Sequence, residues 1–393
     1  MRQDIVLTKQ WLKKDDLLLS RELKGILVVS LEQAVAAPYC GVLLANSGAR
    51  VIKVERPVGD FARGYDVGAK GQSTIFAWLN RGKESVCLDL KSTGDSALMR
   101  AMLAKADVFV SNLAPGAIDK MGLDHESLRG GNPRLISCAI SGYGEGGAAA
   151  NKKAYDFLVQ AESGICSVTG SVEEPARVGM SLADLSTGLT AYSAILRALI
   201  QRGRTGLGTA LSLSMFDVMA DWMNMPLLAY RYMGGAPARS GLQHSFIAPY
   251  GSFTCKGGTH VLLSVQSNRE WKIFCEDILE QPDLASDPRF KHNPDRYSNR
   301  NELDALVNEK FCKFEVVEIT ARLDSAGIAN AALNSVADFS NHPFLRNTEA
   351  IYNGMSISMA GLPVPDINGE PSTVPELDQQ SDAIRREFTG GKQ

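Results

Sequence analysis

No apolar run in this chain reaches the roughly 18 residues that a membrane-spanning helix needs. The stretch Met1 to Arg21 carries Asp15 and Asp16 inside its only semi-apolar part and lacks a small-residue cleavage site, so it does not read as a secretory signal. A basic excess is missing as well: 41 Lys and Arg face 44 Asp and Glu, for a net charge of -3. That weighs against a general binder of nucleic acid or of an anionic membrane, while leaving room for a local basic pocket around one phosphorylated ligand. The seven cysteines (Cys40, Cys87, Cys138, Cys166, Cys255, Cys275 and Cys312) are widely spaced and form no Cys-x-x-Cys pair. Neither a disulfide framework nor a zinc site is expected; buried, reduced thiols in a cytoplasmic protein are. The turn after the first strand lacks the Gly-x-Gly-x-x-Gly fingerprint, which disfavours a nicotinamide-dependent enzyme. No Walker loop and no Gly-x-Ser-x-Gly elbow is present.

What the chain does have is an ordinary globular composition, 45% hydrophobic and 22% charged over 393 residues, enough for two or three domains. Residues 1–23 read as an N-terminal arm with Trp11, Leu12, Leu17, Leu18 and Leu19 as docking groups. Gly25 to Leu31 is a short apolar run suited to a strand buried on both faces. Pro38 then opens a helix to Asn46, Gly48 ends it, and Arg50 to Glu55 is the next strand. Further strands are expected at 85–90, 108–111 and 135–140, with a helix over 95–105. This alternation predicts an α/β large domain over 24–225. Helices are expected over 185–201 and 212–232. From 226 to 330 the texture changes to a smaller α+β domain, with a hairpin turning at Gly257-Gly258 and helices at 268–280 and 299–325. Residues 331–393 are expected as a C-terminal segment returning to the large domain, rich in Pro, Gly and Asn from 340 onward and ending in a polar tail.

Four cations stand near strand ends: Arg56, Arg63, Lys83 and Lys120. Each alone is an ordinary solvated charge, but together they can neutralise the phosphates of a nucleotide-like ligand. Asp184 precedes a long amphipathic helix. It is either an N-cap, worth about 1 kcal/mol, or a carboxylate kept ionised by the helix end and able to attack a carbonyl. Tyr155 and Asp156 open another helix or support a site. His244 lies in the loop before the hairpin, with no metal-binding partner nearby in sequence.

At these residues the chain resembles the class III CoA-transferase family, which includes formyl-CoA transferase, the carnitine CoA-transferases and the α-methylacyl-CoA racemases. The resemblance rests on Ala36-Ala-Pro38, Gly48 to Arg56, Gly59-Asp-Phe-Ala-Arg63, Asn80-Arg-Gly-Lys83, Asn112 to Gly116, Asn132 to Leu135, Ser141 to Gly144, Tyr155-Asp156 with Gln160, and Ala183-Asp184. Asp287-Pro-Arg-Phe290 with Asn299-Arg300 extends it. It implies a Rossmann-like large domain built from both ends of the chain, a small inserted domain, and an interlocked homodimer. It also implies CoA thioester as co-substrate, with no tightly bound cofactor. By position it assigns Asp184 as the catalytic carboxylate and Val35, Ala36, Arg56, Lys83, Asn112, Leu113, Lys120, Lys153 and Tyr155 as CoA contacts.

The implied chemistry is covalent, through aspartyl anhydrides and an aspartyl-CoA thioester. Within the family, Leu31 to Pro38, Phe61 to Tyr65 and Ile247 to Gly251 resemble the itaconate and mesaconate branch. That branch implies short C4–C5 dicarboxylates with succinyl-CoA as donor, or CoA movement within mesaconyl-CoA. The run of glycines of formyl-CoA transferase is replaced by the segment around His244, which argues against oxalate or formate. Arg63, Arg239 and His244 are the candidates for a second substrate carboxylate. The racemase alternative needs a His where this chain has Tyr155, and a phenol with a pKa of about 10 is a poor substitute for an imidazole near 6.5. A CoA-binding protein without activity would be expected to have lost Asp184.

Overall fold

The computed structural model describes residues 21–144, 146–364 and 371–390, so the arm expected over 1–23 lies outside the described residues except for its last three. The chain divides into two units. The first holds the described residues up to Gly164, then Val178–Asn224 and the chain from Arg346 onward; the second holds Ile165–Arg177 and Met225–Leu345. The second unit begins close to the expected point but runs on to Leu345 and also takes in residues 165–177.

Six strands build the first unit's main sheet: β1 (Leu27–Leu31), β2 (Arg50–Glu55), β3 (Glu84–Cys87), β4 (Val108–Ser111), β5 (Ile136–Ser141) and β6 (Ala210–Ser214). Their order is β3-β2-β1-β4-β5-β6, and every pairing is parallel. This is the doubly wound order in which ligands bind beyond the carboxyl ends of the strands. The alternation of β1 shows why the sheet is buried on both sides. Val28 faces a layer with Cys40, Leu44, Ile195 and Ala198 of helices Ala36–Asn46 and Leu182–Thr205. Val29 faces Leu98 and Met102 of helix Thr93–Leu103, with Ile384 and Phe388 of helix Ser381–Thr389.

Two sequence expectations need correction. The helix expected from 212 begins only at Met215, because Leu211 and Leu213 alternate with exposed neighbours and complete the sheet as β6. Gly208 makes that strand possible: a Cβ there would sit 1.9 Å from the Leu135 carbonyl oxygen. The tail is not wholly polar either. Ile384 and Phe388, four residues apart, seat a helix on the sheet. On the way there the chain shields the β3 edge: the Gly82 amide donates to Thr373 O at 2.7 Å, and the Cys87 amide to Asp378 Oδ1 at 2.6 Å.

The second unit has an antiparallel sheet of β7 (Tyr250–Thr254), β8 (His260–Ser264) and β9 (Ala329–Ala331), packed on Trp271, Phe274, Phe290 and Phe311. The hairpin turns at Lys256–Gly258, as expected. The segment before it, 244–250, is gripped by its carbonyls. Arg300 donates to Ile247 O and Tyr250 O at 2.9 Å each, and Asn293 Nδ2 to Phe246 O at 2.8 Å. Arg296, fully buried, donates to Ala248 O at 2.8 Å and to Phe290 O at 3.1 Å.

Replacing Arg296 with Met leaves those buried carbonyls unpaired, at about 1–3 kcal/mol each. Arg296→Met is therefore expected to lower stability by at least about 3 kcal/mol, seen as a fall in the urea midpoint. An unchanged midpoint would mean that the carbonyls find other partners.

Candidate active site

Asp184 is not a cap. Ser181 holds the N-cap position of helix Leu182–Thr205, and Asp184 is its third residue. The free amides of that first turn are taken by another carboxylate: Asp156 Oδ1 accepts from Ala183 N at 2.8 Å and from Asp184 N at 3.3 Å. Asp156 is itself set by Gln160, whose Nε2 donates to its other oxygen at 2.8 Å while Oε1 accepts from Val178 N at 2.9 Å. Among the described residues, none donates a hydrogen bond to the Asp184 carboxylate. The expectation that the helix end keeps Asp184 ionised is therefore reversed. Burial, with the charge of Asp156 adding to it, pushes Asp184 up to about 7. The result is a weakly solvated carboxylate, half-ionised near pH 7.

One turn further along the same helix, Gly188 lets another helix come close. A Cβ there would lie 2.5 Å from the Ala36 carbonyl oxygen. This brings the start of helix Ala36–Asn46, with Val35 and Ala36, to the Asp184 end of helix Leu182–Thr205. Tyr155 is the N-cap of helix Asp156–Glu162 and is 65% exposed; Lys153 just before it is exposed. Sequence reasoning missed Tyr65. Its phenol is pushed up to about 12, by burial first and then by Asp60, Asp184 and Tyr155, so it stays a neutral donor within electrostatic reach of Asp184.

Beyond the carboxyl ends of β1 to β4 lies a cavity of about 480 Å³. Leu31, Val54, Leu88, Leu90, Leu113 and Met121 give it an apolar lining, and Arg56, Lys91 and Lys120 add cations. Glu32, Glu55, Asp60 and Asp89 border it too, but the first three are already paired with Lys83, Arg63 and Lys53, which leaves the cations in excess for an anionic, nucleotide-like group. Of the residues that the resemblance assigns to CoA, Arg56, Leu113 and Lys120 line this cavity. Lys91, with Leu88, was missed because a lone Lys after a strand carries no signal. Asn112 shapes the neighbouring turn instead, its side chain exchanging two hydrogen bonds with the Gln33 backbone at 2.9 and 2.8 Å.

Two cations must be withdrawn from ligand binding. Lys83 is buried, and its ammonium is held by Glu32 Oε1, Pro38 O and Asn80 Oδ1. Burial, against the pull of Glu32, brings it down to about 8. Arg63 is clamped on Glu55 at 2.7 and 2.8 Å and donates also to Tyr352 and Pro375 O. In the second unit, Arg239 donates to the carbonyls of Ser167, Ser171 and Val172. His244 stacks on Tyr250, and its Nδ1 accepts from Phe246 N at 3.1 Å. Burial and then the charge of Arg300 push its imidazole down, so at neutral pH it is a neutral Nε2–H donor rather than a cation.

Residues 23–375 match the model of CoA-transferase family III. The chain belongs to CoA-transferase family III. An acetyl-CoA:oxalate CoA-transferase of Acetobacter aceti is 37% identical over 372 residues, covering 93% of this chain and 95% of that one. A succinyl-CoA:mesaconate CoA-transferase of Haloarcula hispanica is 31% identical, covering 89% and 91%. Among solved structures, a CAIB/BAIF family protein of Brucella suis matches with a TM-score of 0.79 at 33% identity, covering 94% of this chain and all of that one. This family III CoA-transferase is thus an enzyme whose co-substrates are CoA thioesters.

The state of Asp184 has a cost that can be measured. The folded protein holds its proton up to about pH 7, whereas the unfolded chain releases it near 3.9. Folded stability is therefore fully present below about pH 4, declines as pH rises to about 7, and stays reduced above. Asp184→Asn removes this titration. Its unfolding free energy, read from thermal melts, should exceed that of the wild type by a margin that grows from about pH 4 to about pH 7 and then levels, reaching on the order of a few kcal/mol. A pH-independent difference would show that Asp184 is not raised.

Proposed function

We propose that this CoA-transferase moves CoA from an acyl-CoA donor, succinyl-CoA foremost, to a short C4–C5 dicarboxylate such as itaconate or mesaconate, with Asp184 as nucleophile. The observation that carries the mechanism is the Asp184 carboxylate, raised to about 7 and free of donors while Asp156 occupies the helix amides. One Asp184 oxygen attacks the thioester carbonyl, the C–S bond breaks, and CoA leaves as thiolate. The thiolate attacks the aspartyl carbonyl of the resulting anhydride, releasing the donor acid and leaving an aspartyl-CoA thioester. The acceptor carboxylate attacks that thioester and expels the thiolate again. The thiolate then takes the acceptor's acyl group and frees Asp184. No net proton is consumed, and the activated acyl bond is kept throughout.

Phosphate groups of CoA are assigned to Arg56, Lys91 and Lys120, with Leu113 in the apolar lining; Val35, Ala36, Lys153 and Tyr155 are assigned to its thiol-bearing end. The dicarboxylate reading draws support from relatives named for oxalate, glutarate, mesaconate and citramalate, all of them dicarboxylates. Since Arg63 is already neutralised, His244 is the proposed donor to the far carboxylate, with Arg239 beside it in the assignment. Oxalate is a second reading, favoured by the 37% identity to the acetyl-CoA:oxalate enzyme. We further propose a cytoplasmic, interlocked homodimer; light scattering that found an active monomer of 42.4 kDa would refute the dimer.

Three measurements test the function. Asp184→Ala should lower kcat by at least about a thousandfold, roughly 4 kcal/mol, and hydroxylamine with acyl-CoA should modify Asp184 only in the wild type. The donor's kcat/KM should rise with pH to a plateau through an apparent pKa of about 7. An acceptor screen by mass spectrometry, with succinyl-CoA and acetyl-CoA against itaconate, mesaconate, citramalate, oxalate and butyrate, should favour the C4–C5 diacids over butyrate by at least about tenfold. Butyrate used as well as the diacids would end the dicarboxylate reading. Oxalate used best would select the second one, and mesaconyl-CoA isomerised alone would identify intramolecular transfer.

A further inference from the structure

Four charged side chains lie fully buried behind the Gln33–Ala36 turn: Glu32, Lys53, Asp60 and Lys83. Lys53 Nζ donates to Asp60 Oδ2 at 2.8 Å and lies 3.4 Å from Glu32 Oε1. Glu55 and Arg63 form a second pair alongside, and the Asp60 amide donates to Glu55 Oε2 at 3.0 Å. Three acids and three bases balance. A buried set of this kind is poor value as a source of stability, because desolvation offsets the attraction and apolar replacements are often as stable. Its geometry is more informative than its charge.

Asp60 ties this cluster to two backbone turns. While Oδ2 takes the Lys53 ammonium, Oδ1 accepts from Ala34 N at 3.2 Å and from Ala62 N at 3.0 Å. Ala34 has a φ of +65°, a left-handed conformation that alanine adopts only when held there. The turn it makes leads into Ala36, whose carbonyl lies against Gly188, one helical turn from Asp184. The Ala62 amide belongs to the 3₁₀ turn Phe61–Gly64, capped by Asp60 and ending at Tyr65, whose phenol feels the Asp184 charge.

We propose that Asp60 is a positioning residue of the Asp184 site: anchored by Lys53, one carboxylate holds both the left-handed turn at Ala34 and the 3₁₀ turn that ends at Tyr65. Asp60 touches no reacting atom. It sets the two backbone turns beside the nucleophile in one register, so displacing either misplaces the donor thioester rather than abolishing its binding. This rests on Asp184 being the nucleophile.

Asp60→Asn is isosteric and tests the idea directly. A carboxylate presents acceptors on both sides, whereas an amide has one acceptor and one donor pair, so either Lys53 or the Ala34 and Ala62 amides must face a donor. Asp60→Asn is expected to lower kcat at least about tenfold while the KM for acyl-CoA stays within about threefold. Ala34→Val strains the turn from outside the buried charges, keeps the ion pairs intact, and is expected to give the same split should Asp60→Asn fold poorly. Ala34→Gly placed in the Asp60→Asn background, where glycine holds the left-handed conformation unaided, should recover at least about threefold in kcat. A purely structural Asp60 would lower the thermal midpoint without this split and without the glycine rescue.

Hydroxylamine trapping of the aspartyl intermediate separates the two ideas. If the wild type traps at Asp184 and both Asp60→Asn and Ala34→Val trap at its rate, the positioning role is overturned and the nucleophile stands. If the wild type traps at another residue, both are overturned.

Discussion

Much of this protein follows from which carboxylate holds the start of helix Leu182–Thr205. A helix end offers free amides to one acceptor at close range, and Asp156 takes them from the neighbouring helix, fixed in turn by Gln160. Asp184 is left inside the same first turn with neither the amides nor full solvent, and with a negative neighbour. Burial and repulsion then act in the same direction on its proton. An ordinary surface aspartate would be fully ionised and well hydrated. Stability is given up at this one residue to keep a carboxylate buried and raised to about 7.

The same logic sorts the cations. A basic residue after a strand can serve a ligand only if its charge is not already matched. Arg56, Lys91 and Lys120 reach the cavity at the carboxyl ends of β1 to β4. Lys53, Lys83 and Arg63 sit a few residues away in sequence yet turn inward against Glu32, Asp60 and Glu55. Burying three acids among them is tolerable because each has a base at hydrogen-bond distance, and Glu55 is held down to about 2 against its own burial by Arg63, Lys53 and Ser85. Glu32, Asp60 and Glu55 border the same cavity, but each is matched by its base, and these pairs shape the backbone there.

In the second unit, order is imposed on an irregular segment in another way. Asn293 and Arg296 of helix Asn293–Ser298 and Arg300 of the next helix, Arg300–Phe311, supply donors to the carbonyls of residues 244–250. The segment is thus tied at many points. His244 is fixed there as a neutral donor, which suits recognition of a carboxylate by hydrogen bonding more than by charge.

The sequence by itself determined the parallel sheet, because short β-rich runs separated by helix-length segments admit few other arrangements. It also singled out Arg56, Leu113 and Lys120, which the fold brings to one cavity. It did not disclose β6 or the last helix, each seated by only two apolar residues, Leu211 with Leu213 and Ile384 with Phe388. Nor did it separate Lys83 and Arg63 from Lys91, since a one-dimensional string shows a charge but not whether another charge lies opposite it. Glu32 and Lys83 are 51 residues apart and meet only when β1 and the Asn80–Lys83 turn are brought together. The protonation of Asp184 was decided in the same way: its sign depends on burial and on Asp156, 28 residues earlier, and both exist only in the folded chain.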